Sequence, residues 1–148
     1  MNRETPQSDP LVMMLFTELD VVDQMLRGHL RRALPKGMEL SHVSVLNLLA
    51  TLSTERSPAQ LARAFHVSRA AMSNTLTRLE SSGYVHIRPD WDDARRKHVS
   101  ITRAGIQARD QAMDAFRSTF SQVSTVLDPL EIRSTLPVLR KLRAMLEG

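Results

Sequence analysis

Residues 57–102 constrain this chain most, because helix and strand signals alternate there on a scale that few folds accommodate. Ser57, Pro58 and Gln60 supply an N-cap, a residue pre-set for the first helical turn and a capping-box partner. Leu61, Ala62 and Phe65 then form one apolar face, His66 and Val67 make a turn, and Ser68 caps a second helix. In that helix Met72, Leu76 and Leu79 recur at helical spacing, and Gly83 ends it. With those three facing a core, the opposite stripe carries Arg69, Ala70, Ser73, Asn74 and Thr77. Arginine offers a bidentate fork to guanine and asparagine one to adenine, while short residues let a helix backbone approach base edges. On an isolated helix the same stripe would read as an ordinary solvated face.

The following residues change that reading. Tyr84, Val85, His86, Ile87 and Arg88 form one predicted strand, and His98, Val99, Ser100 and Ile101 its partner. Asp90 to Lys97 is the predicted loop, in which Arg95, Arg96 and Lys97 stand beside Asp92 and Asp93. Its tip therefore has cations for phosphate or minor-groove contact, with carboxylates near enough to fix them. A charged hairpin directly after a turn-bearing helix pair makes a wing. The expected fold class is mainly α with a small β-wing, a winged helix-turn-helix flanked by N- and C-terminal dimerisation helices.

Charge supports this without any motif. Residues 57–103 hold eight basic and four acidic side chains, a surplus of +4, which is also the net charge of the whole chain. The remaining residues balance, so the positive field belongs to the predicted reading head, an electrostatic footprint for a polyanion. With no cysteine, the chain has no disulfide framework, thiol redox switch or cysteine-bound zinc. His29, His42, His66, His86 and His98 have no recognised ligand spacing, so neither metal nor cofactor is expected. No apolar run reaches membrane-spanning length and the start lacks the apolar core of a secretory signal, so a soluble, cytoplasmic protein is expected. Residues 1–7 are expected to be a short disordered lead.

Both flanks read as helical. Ser8 or Asp9 caps a first helix with Pro10 in its first turn and an apolar seam of Leu15, Leu19, Val22, Leu26, Leu30 and Ala33. A second helix is predicted from Ser41 through Val45, Leu46, Leu48, Leu49 and Leu52. Thr102 caps a long helix with heptad-like Ile106, Met113, Phe116, Phe120, Val123 and Leu127. Asp128, Pro129 and Glu131 open a last helix carrying Ile132, Leu136, Leu139, Leu142 and Leu146, with a kink or break expected at Pro137. This is more apolar surface than one winged helix needs, so much of it is expected to meet a second copy, an intramolecular bundle being the alternative. The predicted division is 1–37 lead and dimerisation helix, 38–103 winged helix-turn-helix and 104–148 dimerisation helices.

The order of helices, the segment SRAAMSNTLTRLESSGY followed by DDARRKHVSITRAG, and Asp93-Ala94-Arg95 with Thr102 and Gly105 downstream resemble the MarR family of bacterial transcriptional regulators. The resemblance spans roughly Leu11 to Leu146. It implies a triangular homodimer with its first, fifth and sixth helices interleaved, bound to double-stranded DNA at a pseudo-palindromic site. It also implies that Arg95 enters the minor groove while Asp93 orients its guanidinium, with Arg96 and Lys97 beside it on the wing. Ser68, Arg69, Ala70, Ser73, Asn74, Thr77 and Arg78 would lie on the recognition helix. Many members are repressors released by small phenolic or other lipophilic ligands. Two positions depart from the pattern: Trp91, where many relatives have proline, and Ala94, where a charged residue is frequent. Three places are open to Trp91, namely under the wing, over a ligand pocket or against DNA, and the first is usual for a lone tryptophan.

An effector pocket between the first, second and fifth helices would be lined by residues such as Met13, Met25, His29 and His42. Core or interface packing is the plainer role for these side chains. Catalysis is not expected: there is no HExxH pair, no phosphate-binding glycine loop and no local triad. The competing reading is a winged-helix module that binds a protein or RNA, without operator specificity.

Overall fold

A computed structural model of the protein describes residues 9–148; the lead expected over 1–7 lies outside the described residues. The elements run α1 (Pro10–Ala33), α2 (Leu40–Leu52), α3 (Pro58–Ala64), α4 (Arg69–Ser81), β1 (Val85–Pro89), β2 (Lys97–Ile101), α5 (Arg103–Val126) and α6 (Pro129–Glu147). The architecture is the expected one, helices around a two-stranded antiparallel ribbon.

Most boundaries follow from capping. Asp9 accepts from the Leu11 amide, Ser68 from Ala71 and Thr102 from Gly105, each satisfying an otherwise free donor of a first turn. Ser57 with Gln60, and Asp128 with Glu131, form reciprocal capping boxes. The second helix begins at Leu40, ahead of the expected Ser41, because the Glu39 amide donates to His42 Nδ1 and closes its first turn. Between α3 and α4 the chain reverses at His66, whose φ of 52° is left-handed, and α4 stops before Gly83 at φ 76°.

The core sits where the helix pair meets the ribbon. Val45, Leu46 and Leu49 of α2, Leu61 and Ala62 of α3, Met72, Leu76 and Leu79 of α4, and Val85 and Val99 of the ribbon are buried together, with Ala108 of α5. In the ribbon Val85 pairs with Ile101, Ile87 with Val99 and Arg88 with His98. Lys97 pairs with Pro89 and so belongs to β2, not to the loop where it was expected, while Tyr84 falls just before β1. Arg56 adds a third, single-residue edge by exchanging both backbone hydrogen bonds with Val99.

The flanking helices depart from expectation in which face they bury. On α5 the buried positions are Gly105, Ala108, Ala112 and Phe116, whereas Ile106, Phe120 and Val123 of the expected seam are exposed. Small residues there let α5 lie close to α2, which turns the larger ones outward. Neither α1 nor α6 buries any residue. Of the kink or break expected at Pro137, a break is excluded: α6 continues through it, although proline leaves the Arg133 carbonyl without its helical donor. Among the described residues, no helix is long and apolar enough to cross a membrane.

Gly105 is required for close approach. A Cβ there would collide with the Tyr84 carbonyl oxygen and the Ile101 side chain, where α5 leaves the ribbon. Gly105→Ala is therefore expected to destabilise the fold by roughly 1–3 kcal/mol, as overpacking does. The check is a lower midpoint in urea with an unchanged slope; an unaltered midpoint would show that the junction yields.

Candidate nucleic-acid interface

Because Met72, Leu76 and Leu79 are buried, the 3.6-residue period leaves the expected stripe of Arg69, Ala70, Ser73, Asn74 and Thr77 exposed, together with Ser68 and Arg78, the two further residues the resemblance places on this helix. Their side chains are not equally free. Ser68 is occupied as the cap and Thr77 donates back to the Ser73 carbonyl at 2.9 Å. Arg78 Nη1 reaches Glu39 Oε1 at 2.9 Å, tying α4 to the start of α2. Arg69 and Asn74 are exposed and have no side-chain hydrogen bond among the described residues, which leaves their donors and acceptors free for a partner.

The wing is held by a polar knot. Its loop is closed where the Asp90 amide donates to the Arg96 carbonyl and the Arg96 amide to that of Asp93. Asp90 Oδ1 accepts from the amides of Asp92 at 2.8 Å and Asp93 at 3.2 Å, and its Oδ2 lies 2.6 Å from His98 Nε2. These three hydrogen bonds, the one from His98 first, hold the Asp90 carboxyl at about 2, below its ordinary 3.8. An ionised carboxylate only accepts, so His98 donates to it through Nε2.

Next in the chain, Asp93 Oδ1 accepts from the Arg95 amide at 3.0 Å and from Arg95 Nε at 3.2 Å. Arg95 is thus gripped at its inner edge while its side chain is 92% exposed, leaving both terminal nitrogens outward. Arg96, Lys97 and Ala94 are exposed beside it, and Arg96 Nε is 3.9 Å from Asp93. The expected pairing of Asp93 with Arg95 is present in the geometry.

A second ion pair ties the ribbon to the chain before α3. Arg88 grips Glu55 with Nε to Oε1 at 3.0 Å and Nη2 to Oε2 at 2.6 Å. The bidentate hydrogen bond holds Glu55 below the ordinary carboxylate range and raises Arg88. Glu55, Asp90 and His98 escaped sequence reasoning as structural partners, since they are 35 and 8 residues apart and meet only once Arg56 joins the ribbon. Trp91 does not pack under the wing as a lone tryptophan usually would: it is 89% exposed, with the Arg88 guanidinium 5.7 Å from its ring centroid.

The four residues expected around an effector are not brought together. His42 is buried, its charged form disfavoured by that burial, and it lines a cavity of about 180 Å³ with Met38, Leu79, Tyr84 and Gln111. Met13, Met25 and His29 are exposed on α1, and twelve residues of helix separate the two methionines by about 18 Å. A more apolar cavity of about 320 Å³ lies among α1, α2 and α5, lined by Leu26, Leu30, Val43, Met113, Phe116 and Phe120. Among the described residues no three metal-ligating side chains are grouped.

A capped helix pair closed by a left-handed turn, followed by a ribbon with a cationic tip, defines a winged helix-turn-helix protein. Residues 36–96, from just before α2 to the end of the wing loop, match the family model described as MarR family. The fold agrees along nearly the whole chain. A MarR-family regulator from Streptomyces coelicolor in complex with DNA superposes with a TM-score of 0.83 at 22% identity, covering 99% of this chain and 94% of that one. A mutant MarR from E. coli complexed with operator DNA gives 0.79 at 22%, covering 91% and 99%. BpsR from Bordetella bronchiseptica, whose DNA binding is regulated by 6-hydroxynicotinic acid, gives 0.77 at 17%, covering 88% and 98%. No curated protein sequence matches the chain.

Asp90 makes the wing sensitive to acid. Its folded value is depressed, so its contribution is complete above about pH 4 and is lost as the pH falls towards about 2. The Asp90 carboxyl carbon resonance should titrate with a midpoint near 2. A midpoint at the ordinary 3.8 would show that the three hydrogen bonds do not hold this carboxylate.

Proposed function

We propose that the protein is a cytoplasmic, homodimeric, sequence-specific regulator of transcription that binds double-stranded DNA and represses until a small lipophilic ligand releases it. The observation that carries this reading is Arg95, gripped by Asp93 at Nε and otherwise bare on a wing that follows an exposed Arg69 and Asn74 stripe. In this reading α4 reads bases in the major groove, with Arg69 and Asn74 as the readers and Ser73 and Ala70 permitting approach. Arg95 anchors the wing in the minor groove, with Arg96 and Lys97 on phosphates. The DNA complexes formed by proteins of the same fold support it.

Pairing is the second part of the proposal. On α1, Leu11, Met14 and Val22 are exposed, and on α6 Leu130, Leu136, Leu139 and Leu146, an apolar area that a single chain leaves in water. A second copy covering it would set two reading heads on half-sites one turn apart, about 34 Å. The division into residues 1–37, 38–103 and 104–148 then separates pairing from reading. A ligand seated in the cavity among α1, α2 and α5 would shift the spacing of the heads, provided it binds the two shapes unequally.

The test begins by selecting duplexes from random DNA. Against the selected site, Arg95→Ala should weaken binding and lower the salt slope by about one for each wing contact removed. Asn74→Ala should reduce discrimination among site variants by roughly 1–3 kcal/mol. Recovery of no preferred duplex would favour the protein-binding or RNA-binding alternative.

Leu139→Asp on α6 should shift sedimentation towards a single chain while leaving helix content intact, and should weaken operator binding. Persistence of the wild-type mass would remove α6 from the pairing surface.

A further inference from the structure

The chain has one tryptophan, and none of the roles given above uses it. Trp91 is the most exposed large apolar side chain among the described residues, at 89%, although this residue type is highly buried on average. It is nevertheless held in place. The Arg88 guanidinium lies 5.7 Å from its ring centroid, and Arg88 is itself clamped onto Glu55 by two hydrogen bonds. Trp91 and Arg95 stand at the two ends of the short loop closed by the Asp90 amide on the Arg96 carbonyl. An indole with a cation against its ring and a gripped, exposed arginine therefore share one hydrogen-bonded loop.

We infer that Trp91 is a DNA-contacting residue of the wing, its ring lying against the deoxyribose wall of the minor groove that Arg95 enters. This rests on the reading of the protein as a duplex-binding regulator and adds to it an apolar contact beside the cationic one. The partner follows from the surroundings. Arg95, Arg96 and Lys97, exposed a few residues further along the same hairpin, attract a polyanion, and the apolar surface of a duplex on either side of its phosphates is the sugar edge. Such a contact releases no counterion, so it should add affinity without adding salt dependence. The Arg88 guanidinium, already paired with Glu55, supports the ring and is not available to a phosphate.

The single tryptophan makes the test direct. On titration with the duplex selected from random DNA, Trp91 emission should change and its quenching by acrylamide should fall. Trp91→Ala should weaken binding roughly five- to tenfold with an unchanged salt slope, whereas Arg95→Ala should lower the slope. Trp91→Phe should recover part of the loss. Circular dichroism should be unaltered in each variant, since the ring is exposed. If labelled duplex binds normally while Trp91 emission, acrylamide access and Trp91→Ala affinity stay unchanged, the contact is refuted and the DNA-binding reading stands. Protection that rises with protein concentration in the absence of DNA would assign the ring to a second copy and overturn the inference. Failure to bind any duplex would overturn both.

Discussion

Burial of the ribbon against the helix pair is the constraint from which the rest follows. Val85 and Val99 sit in one cluster with Leu46, Leu49, Leu76 and Leu79, and this single apolar contact fixes the rotation of α4 about its axis. Once Met72, Leu76 and Leu79 are inside, Arg69, Ser73 and Asn74 have no other place than the outside. The same contact locks the ribbon, because strand alternation sends Arg88 and His98 to the face opposite Val99. Hydrophobic packing thus sets the directions in which the polar chemistry points.

Polar interactions then give the wing its shape. A loop with Arg95 and Arg96 at its tip and Lys97 at the start of β2 would splay in water, and Asp90 and Asp93 prevent this by taking amide as well as side-chain donors. Each carboxylate does two jobs. Asp90 turns the chain and receives His98, while Asp93 receives the Arg95 amide and its Nε. Arg88 and Glu55 carry the restraint back to the segment before α3. Exposed ion pairs contribute little to stability singly, so their effect here is on geometry, holding few groups in one orientation.

The outer helices follow a different logic. Their caps and periodicity are as strong as those of the inner helices, yet α1 and α6 bury nothing within the chain. On α5 the small residues Gly105, Ala108 and Ala112, and then Phe116, turn inward. The large residues expected to form one seam are divided between the chain's own core and its surface. A repeat spacing reports that a face is apolar and is silent on which neighbour covers it.

Local chemistry in the sequence determined the helix starts at Ser57, Ser68, Thr102 and Asp128, narrowed the first to Ser8 or Asp9, and set the turn at His66, the ribbon and the outward stripe of α4. It did so because capping, turn geometry and hydrophobic period act over a few residues, as does the grip of Asp93 on Arg95. Only the tertiary structure decided matters that depend on distant residues meeting. It brought Arg56 to Val99 and Glu55 to Arg88, buried His42 while leaving Met13 and Met25 exposed, carried α6 through Pro137, and left Trp91 in the open. Loop closure and packing choose those partners, and their spacing in the chain gives no sign of it.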